Sequence, residues 1–212
     1  VLGRVHVGTH VDDIIVGGGS IGMPGGDGPA IEIGGGGLDN LTLFGGAVRS
    51  AGDGAQIKVL GDVGSMQIFG DLQGDVIVSE AAQVAAAGGD DADLGHLLTT
   101  GAFDAAVHVG GRAGEIIALG GVSDNGAVWA GGGGGLFFSL GRMDGALESG
   151  NTWETAHVQN GDLTGSVSVQ NGNLESLMVI NGSVGSANPA AASVNVAGHL
   201  QEVVLVGSGM YG

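Results

Sequence analysis

Gly172-Asn173-Leu174-Glu175-Ser176-Leu177-Met178-Val179 and Gly198-His199-Leu200-Gln201-Glu202-Val203-Val204-Leu205 share one apolar pattern. Counted from the opening glycine, apolar residues stand at +2, +5 and +7. Gly61-Asp62-Val63-Gly64-Ser65-Met66-Gln67-Ile68 repeats it, and Val11/Ile14/Val16, Leu38/Leu41/Leu43 and Ala113/Ile116/Ala118 fit the same spacing. Two copies carry one extra residue, Leu72/Val76/Val78 after Gly70 and Leu163/Val167/Val169 after Gly161. The +5 and +7 pair has the period of two of a β-strand. A flat strand cannot place the +2 residue on that same face. The pattern therefore predicts a bend between +2 and +5, with the +2 side chain turned inward at a corner.

Two folds accommodate short strands joined by tight turns. In an antiparallel β-meander or sandwich, Asn160-Gly161, Asn171-Gly172 and Asn181-Gly182 would be two-residue hairpin turns. In a parallel β-solenoid, or β-helix, each unit is one side of a coil and equivalent positions stack on the coil above. Hairpin strands should alternate cleanly and need no bend at a fixed place. The repeated +2/+5/+7 bend favours the solenoid. The expected fold is thus all-β, one solenoid domain over residues 1–212 built from strand–turn units of about ten residues (successive openings at Gly161, Gly172 and Gly182), with the antiparallel sheet as alternative. The pattern is poor at three places, read as irregular Gly-rich excursions: 17–28, 79–103 and 131–155. Within the second, Glu80 to Ala87 has helical propensity and ends at Gly88-Gly89. The third opens on the five glycines 131–135.

Composition narrows the function classes. Glycine makes up 48 of 212 residues, against a usual share of about 7%. Proline numbers 3 and the glycine spacing is irregular, which excludes collagen. A 43% hydrophobic share excludes a disordered acidic tail. Lys+Arg total 5 against 22 Asp+Glu, a net charge of −17, so no basic groove for nucleic acid can form. There is no cysteine, hence no disulfide and no thiolate site. No run of 18 apolar residues offers a membrane-spanning helix.

Gly61 through Val78, and Gly161 through Val206, resemble the glycine-rich parallel β-helix repeats of large bacterial surface and secreted proteins. That resemblance implies a fold more than an activity. Its members are commonly adhesins, surface-layer or filament subunits, phage tail spikes, or polysaccharide lyases.

Candidate chemistry is sparse. Gly25-Gly26-Asp27-Gly28 resembles part of a calcium-binding nonapeptide, but tandem copies are lacking. Asp90, Asp91 and Asp93 could supply hard oxygen ligands to Ca²⁺, the one candidate cofactor, or simply keep a low-charge surface in solution. The Gly-Asp turns at Asp53, Asp62, Asp71 and Asp162 read as turn residues. His6 and His10 are four apart in sequence that reads as strand and turn, and His10 and His199 take a turn position that Asp or Asn fills elsewhere, so a zinc site is not expected from spacing. Arg4, Arg49, Lys58, Arg112 and Arg142 are scattered, and no nucleophile elbow, Walker loop or Rossmann fingerprint occurs. No catalytic residue is assigned and the chain is expected not to be an enzyme.

The two ends suggest a function. Val1-Leu2-Gly3-Arg4-Val5-His6-Val7 already reads as strand, and the last unit runs to Val206 before Gly207 to Gly212. Neither end shows a charged amphipathic cap, so another subunit is expected to cover them, through Val1, Leu2, Val5 and Val7 on one side and Leu200, Val203, Leu205 and Tyr211 on the other. A head-to-tail contact that does not close on itself generates a filament. The expectation is an extracellular or cell-surface structural protein, self-assembling into a filament, sheath or surface layer, with itself and a cell-surface polysaccharide as candidate partners. The alternative is a polysaccharide-acting β-helix lyase or hydrolase, or a phage tail-spike-like binding module.

Overall fold

The computed structural model describes residues 4–22, 28–49, 56–79, 92–185 and 192–207. Their regular structure is entirely β. The chain alternates between short strands β1 (Val5–Val7), β3 (Ile31–Ile33), β5 (Ile57–Val59), β7 (Val76–Val78), β9 (Ala106–Val109), β11 (Ala127–Ala130), β13 (Ala146–Ser149), β15 (Ser166–Val169) and β17 (Ser193–Val196), and longer ones. The longer are β2 (Val11–Gly17), β4 (Leu38–Phe44), β6 (Val63–Phe69), β8 (Leu94–Thr99), β10 (Ala113–Ala118), β12 (Gly134–Leu140), β14 (Trp153–Gln159), β16 (Leu174–Ile180) and β18 (Leu200–Val206). Odd strands form one nine-stranded sheet in the order β1-β3-β5 through β17, and even strands form the other. Each strand pairs with the one two places along the chain, and every pairing among the described residues is parallel. A third line of single bridges, also parallel, joins Ile21, Val48, Leu72, Phe103, Val122, Met143, Leu163 and Val184. The antiparallel meander is therefore not what this chain forms. Asn160 and Asn181 do take the left-handed conformation expected of an Asn-Gly turn, at φ 59° and 55°, but they turn a corner between parallel lines.

The +2/+5/+7 pattern maps onto the even strands. In β16, Leu174, Leu177 and Val179 are buried, while the residue after Leu174 drops out of the pairing register with β14. That skipped residue is the bend. The copies with an extra residue are not variants of the same unit. Leu72 and Leu163 sit on the bridge line, and Val76/Val78 and Val167/Val169 point inward from the odd strands that follow. Two sequence units thus separate each strand from its parallel partner, and bonded equivalents in successive rungs lie 19 to 21 residues apart through much of the second half.

The core is columnar. Ile33, Leu41, Leu43, Met66, Leu72, Leu97, Phe103, Phe137, Met143 and Leu163 are fully buried. Sizes compensate between rungs: the fully buried Trp153 pairs with Gly134 on one side, where a Cβ would lie 2.5 Å from the indole. Ala156 pairs with Phe137 in the same way.

Two of the expected excursions are corrected. Residues 131–155 carry β12, β13 and the start of β14, and the glycine tract is part of the ladder rather than a linker. Residues 94–99 form β8. The interval from Asp71 to its bonded equivalent Ala102 is 31 residues, so extra chain does lie between described residues 79 and 92. The helix expected over Glu80–Ala87 lies outside the described residues, as do residues 23–27 of the 17–28 excursion.

Candidate functional site

Corner residues are tied from rung to rung by side-chain acceptors. Asp62 Oδ1 accepts the Asp93 N–H at 2.9 Å, and Asp93 Oδ1 accepts the Arg112 N–H at 2.6 Å. Thr152 Oγ1 accepts from Asn173 N–H, and Asn173 Oδ1 from His199 N–H at 2.9 Å. Asp71, Asp75 and Asp162 accept the N–H groups of Ala102, Ala106 and Ser183 in the same manner. A parallel corner leaves one N–H per rung without a ladder partner, and a short acceptor one rung earlier supplies it. Asp93, one of the three calcium candidates, is engaged in this role; Asp90 and Asp91 lie outside the described residues, as do Asp53 and Gly25-Gly26-Asp27.

The same corner column runs His10, Gly37, Asp62, Asp93, Arg112, Gly133, Thr152, Asn173, His199, one residue before the first paired residue of each even strand. Histidine occupies both of its ends. His10 lies beside Asp12 of β2 and Asp39 of β4. Its Nε2 is 3.1 Å from Asp12 Oδ1 and 3.4 Å from Asp39 Oδ1, and its Nδ1 is 2.7 Å from the Gly36 carbonyl oxygen. The Gly36 carbonyl, opposed by desolvation and joined by the Asp39 and Asp12 carboxylates, raises the imidazole above its ordinary pKa of 6.5. All three side chains are exposed. Sequence spacing could not find this group, because Asp39 arrives from the next rung. The sign that was available was the His-x-Asp pair His10/Asp12 preceding an apolar strand.

Expected interface residues fall at the two ends. Val5 is 40% exposed and Val7 half-buried on β1; on β18 Leu200 and Val203 are 38% and 48% exposed and Leu205 is half-buried. Val1, Leu2 and Tyr211 lie outside the described residues. The inward residues of the end rungs, Val11, Ile14 and Val16 in β2 and Val194 and Val196 in β17, are only partly buried.

Among the basic residues, stacking brings Arg112 to Glu154 and Arg142 to Thr164, and Arg142 also pairs with Asp144 two residues along the chain. A polar concavity of about 510 Å³ is lined by Gln73, Asp75, Asp104, Ala105, Ala106 and Asn125. Asp104 accepts from Ser123 and Asn125 there, and Asp75 from the Ala106 N–H. On the outer face of the even sheet, Leu98, Ile117, Phe138, His157, Met178 and Val204 form one row across six rungs. His157 packs edge-on against Phe138, centroids 5.0 Å apart, and desolvation lowers its pKa below 6.5. No helix among the described residues is long and apolar enough to cross a membrane.

No protein-family model matches the chain, and neither curated proteins nor solved structures gave a match.

Proposed function

We propose that the three parallel lines are the faces of a β-solenoid of the bacterial surface and secreted type, and that copies stack end to end into a filament, sheath or surface layer outside the cell. The observation that carries this is the state of the end rungs. Among the described residues β2 pairs only with β4 and β18 only with β16, which leaves a row of ladder groups on the other edge of each. Their inward residues match position for position. Extending the register by one rung sets Leu200, Val203 and Leu205 of one copy over Val11, Ile14 and Val16 of the next. On the odd sheet it sets Val194 and Val196 over Val5 and Val7, and on the bridge line Val184 over Ile21. All strands run the same way, so the contact is head-to-tail and propagates. The half-buried apolar row on the outer even face supports side-by-side packing of such stacks into a sheath or layer.

Negative-stain microscopy should show fibres or sheets, and light scattering of concentrated protein should give masses far above 20.5 kDa. A stable, dispersed 20.5 kDa chain at high concentration would overturn the proposal.

The polar concavity around Asp75 and Asp104 favours a second reading, a polysaccharide-acting or polysaccharide-binding module. Both carboxylates are already engaged in bonds between rungs, which suits a scaffold better than an acid/base pair. Depolymerisation or retention of acidic polysaccharides by the chain would favour this second reading.

A further inference from the structure

Three lone-pair-bearing atoms converge at the β2 end. A hydrogen bond to the Gly36 carbonyl requires the proton of His10 on Nδ1. In the neutral ring that leaves Nε2 as an acceptor, aimed at two carboxylate oxygens that are also acceptors. A proton on Nε2, donated to the carboxylates, satisfies all three, and a metal cation in that proton's place does so as well. A ligating imidazole characteristically donates its other ring N–H to a carbonyl in this way, which fixes the ring and its tautomer. The spacing fits too. Ligand atoms bound tetrahedrally at about 2.0–2.1 Å lie roughly 3.3 Å from one another. The His10 Nε2 contacts are 3.1 and 3.4 Å, and all three ligand atoms fall within 4.8 Å of one another. Asp13 stands apart, bonded to Asn40.

We propose that His10, Asp12 and Asp39 bind a divalent transition-metal ion of the zinc type, with one coordination position open. The mixed imidazole–carboxylate set suits zinc, whereas calcium would ask for six to eight oxygens. Two ligands belong to the edge rung and one to the rung beneath, so the ion staples β2 onto β4. A further consequence rests on the stacked-copy reading above. The corner column continues across the junction, so His199 of one copy takes the position one rung outward from His10 of the next. That histidine is the natural donor to the open position, and zinc then clamps copies together.

The test is zinc titration of the full chain against a chromophoric chelator, paired with sedimentation velocity in zinc and in EDTA. One zinc per chain is expected, with calcium failing to compete. His10→Ala and Asp39→Asn should each weaken binding about tenfold or more, while Asp13→Asn on the same strand leaves it unchanged. Circular dichroism checks that each variant keeps its β-structure, and amide exchange in β2 should slow on zinc addition only where zinc binds. Equal binding by wild type and His10→Ala, or none by either, overturns the site. His199→Gln should keep zinc binding in the dispersed chain and lose zinc-dependent growth. Assembly identical in zinc and EDTA overturns the clamp and leaves stacking intact. No assembly in either overturns stacking and the clamp together, and the chelator titration still decides the three-ligand site.

Discussion

Glycine at the corners is dictated by the distance between rungs. Gly126, Gly145 and Gly165 stack in one column, and a Cβ on Gly145 or Gly165 would run into the carbonyl oxygen of the glycine one rung earlier. The obstacle is backbone held by ladder bonds, so neither side can move aside cheaply. Gly165→Ala should cost on the order of 1–3 kcal/mol, read as a lowered midpoint in thermal or denaturant unfolding. Gly35→Ala is the control, since a Cβ there meets open space, and it should be near neutral. This use of glycine was legible as composition but not position by position, because the colliding partner is about twenty residues away in sequence. The His10–Asp12–Asp39 group was hidden for the same reason. His157 gives a pH signature of its own. Desolvation lowers its folded-state pKa below the ordinary 6.5, so between those two values the unfolded chain binds a proton that the folded chain does not. The contribution to stability therefore rises with pH. It is most unfavourable below the lowered value and vanishes above about 6.5. His157→Leu should flatten the acid side of the melting-temperature profile in that window; an unchanged slope would show that the imidazole titrates freely.

At the scale of elements, β2, β4, β6, β10, β16 and β18 were legible from three apolar inward positions, whereas β14 was passed over although its inward Trp153, Ala156 and Val158 are all apolar. β8 and β12 were missed because one inward position is not apolar. β8 reads Leu94, Leu97 and then Thr99, whose hydroxyl donates to the Gly70 carbonyl at 2.9 Å and so satisfies itself in the core. β12 opens on Gly134, whose missing side chain makes room for Trp153, and closes on the buried Ser139. Columns conserve volume, not identity from rung to rung. An apolar filter therefore sees an irregular glycine tract where the structure has a full strand. The same logic predicts the cost of emptying a column. Leu97 is fully buried and flanked by Met66 and Ile116 on adjacent rungs. Leu97→Ala removes packing on both sides, and the backbone ladder prevents the rungs from closing up. A loss of about 2–5 kcal/mol is expected, with the larger end of that range if the hole stays open. Chemical denaturation of the variant against wild type measures it, and a loss below about 1 kcal/mol would mean that the column collapses and the rungs are softer than the bonding implies.

For the whole molecule, the pattern of charges sets the conditions under which copies can meet. Continuing the even sheet across a junction places Glu202 over Asp13. Like charges directly opposed on neighbouring parallel strands oppose pairing, and both residues are exposed. The net charge of −17 adds a long-range repulsion between approaching copies. Apolar contact at Leu200, Val203 and Leu205 favours the junction and is nearly insensitive to salt, whereas the repulsion between exposed carboxylates is screened over about 10 Å at 0.1 M ionic strength. Assembly should therefore quicken as salt is raised from about 0.01 to 0.15 M. Glu202→Gln should remove part of that dependence, letting fibres grow at low salt where wild type stays dispersed. Light scattering followed in time measures both effects in EDTA, which keeps metal ions out of the comparison. Growth slowed by salt, or a Glu202→Gln chain indistinguishable from wild type at low salt, would mean that these two strands do not face each other and that the copies meet by another surface.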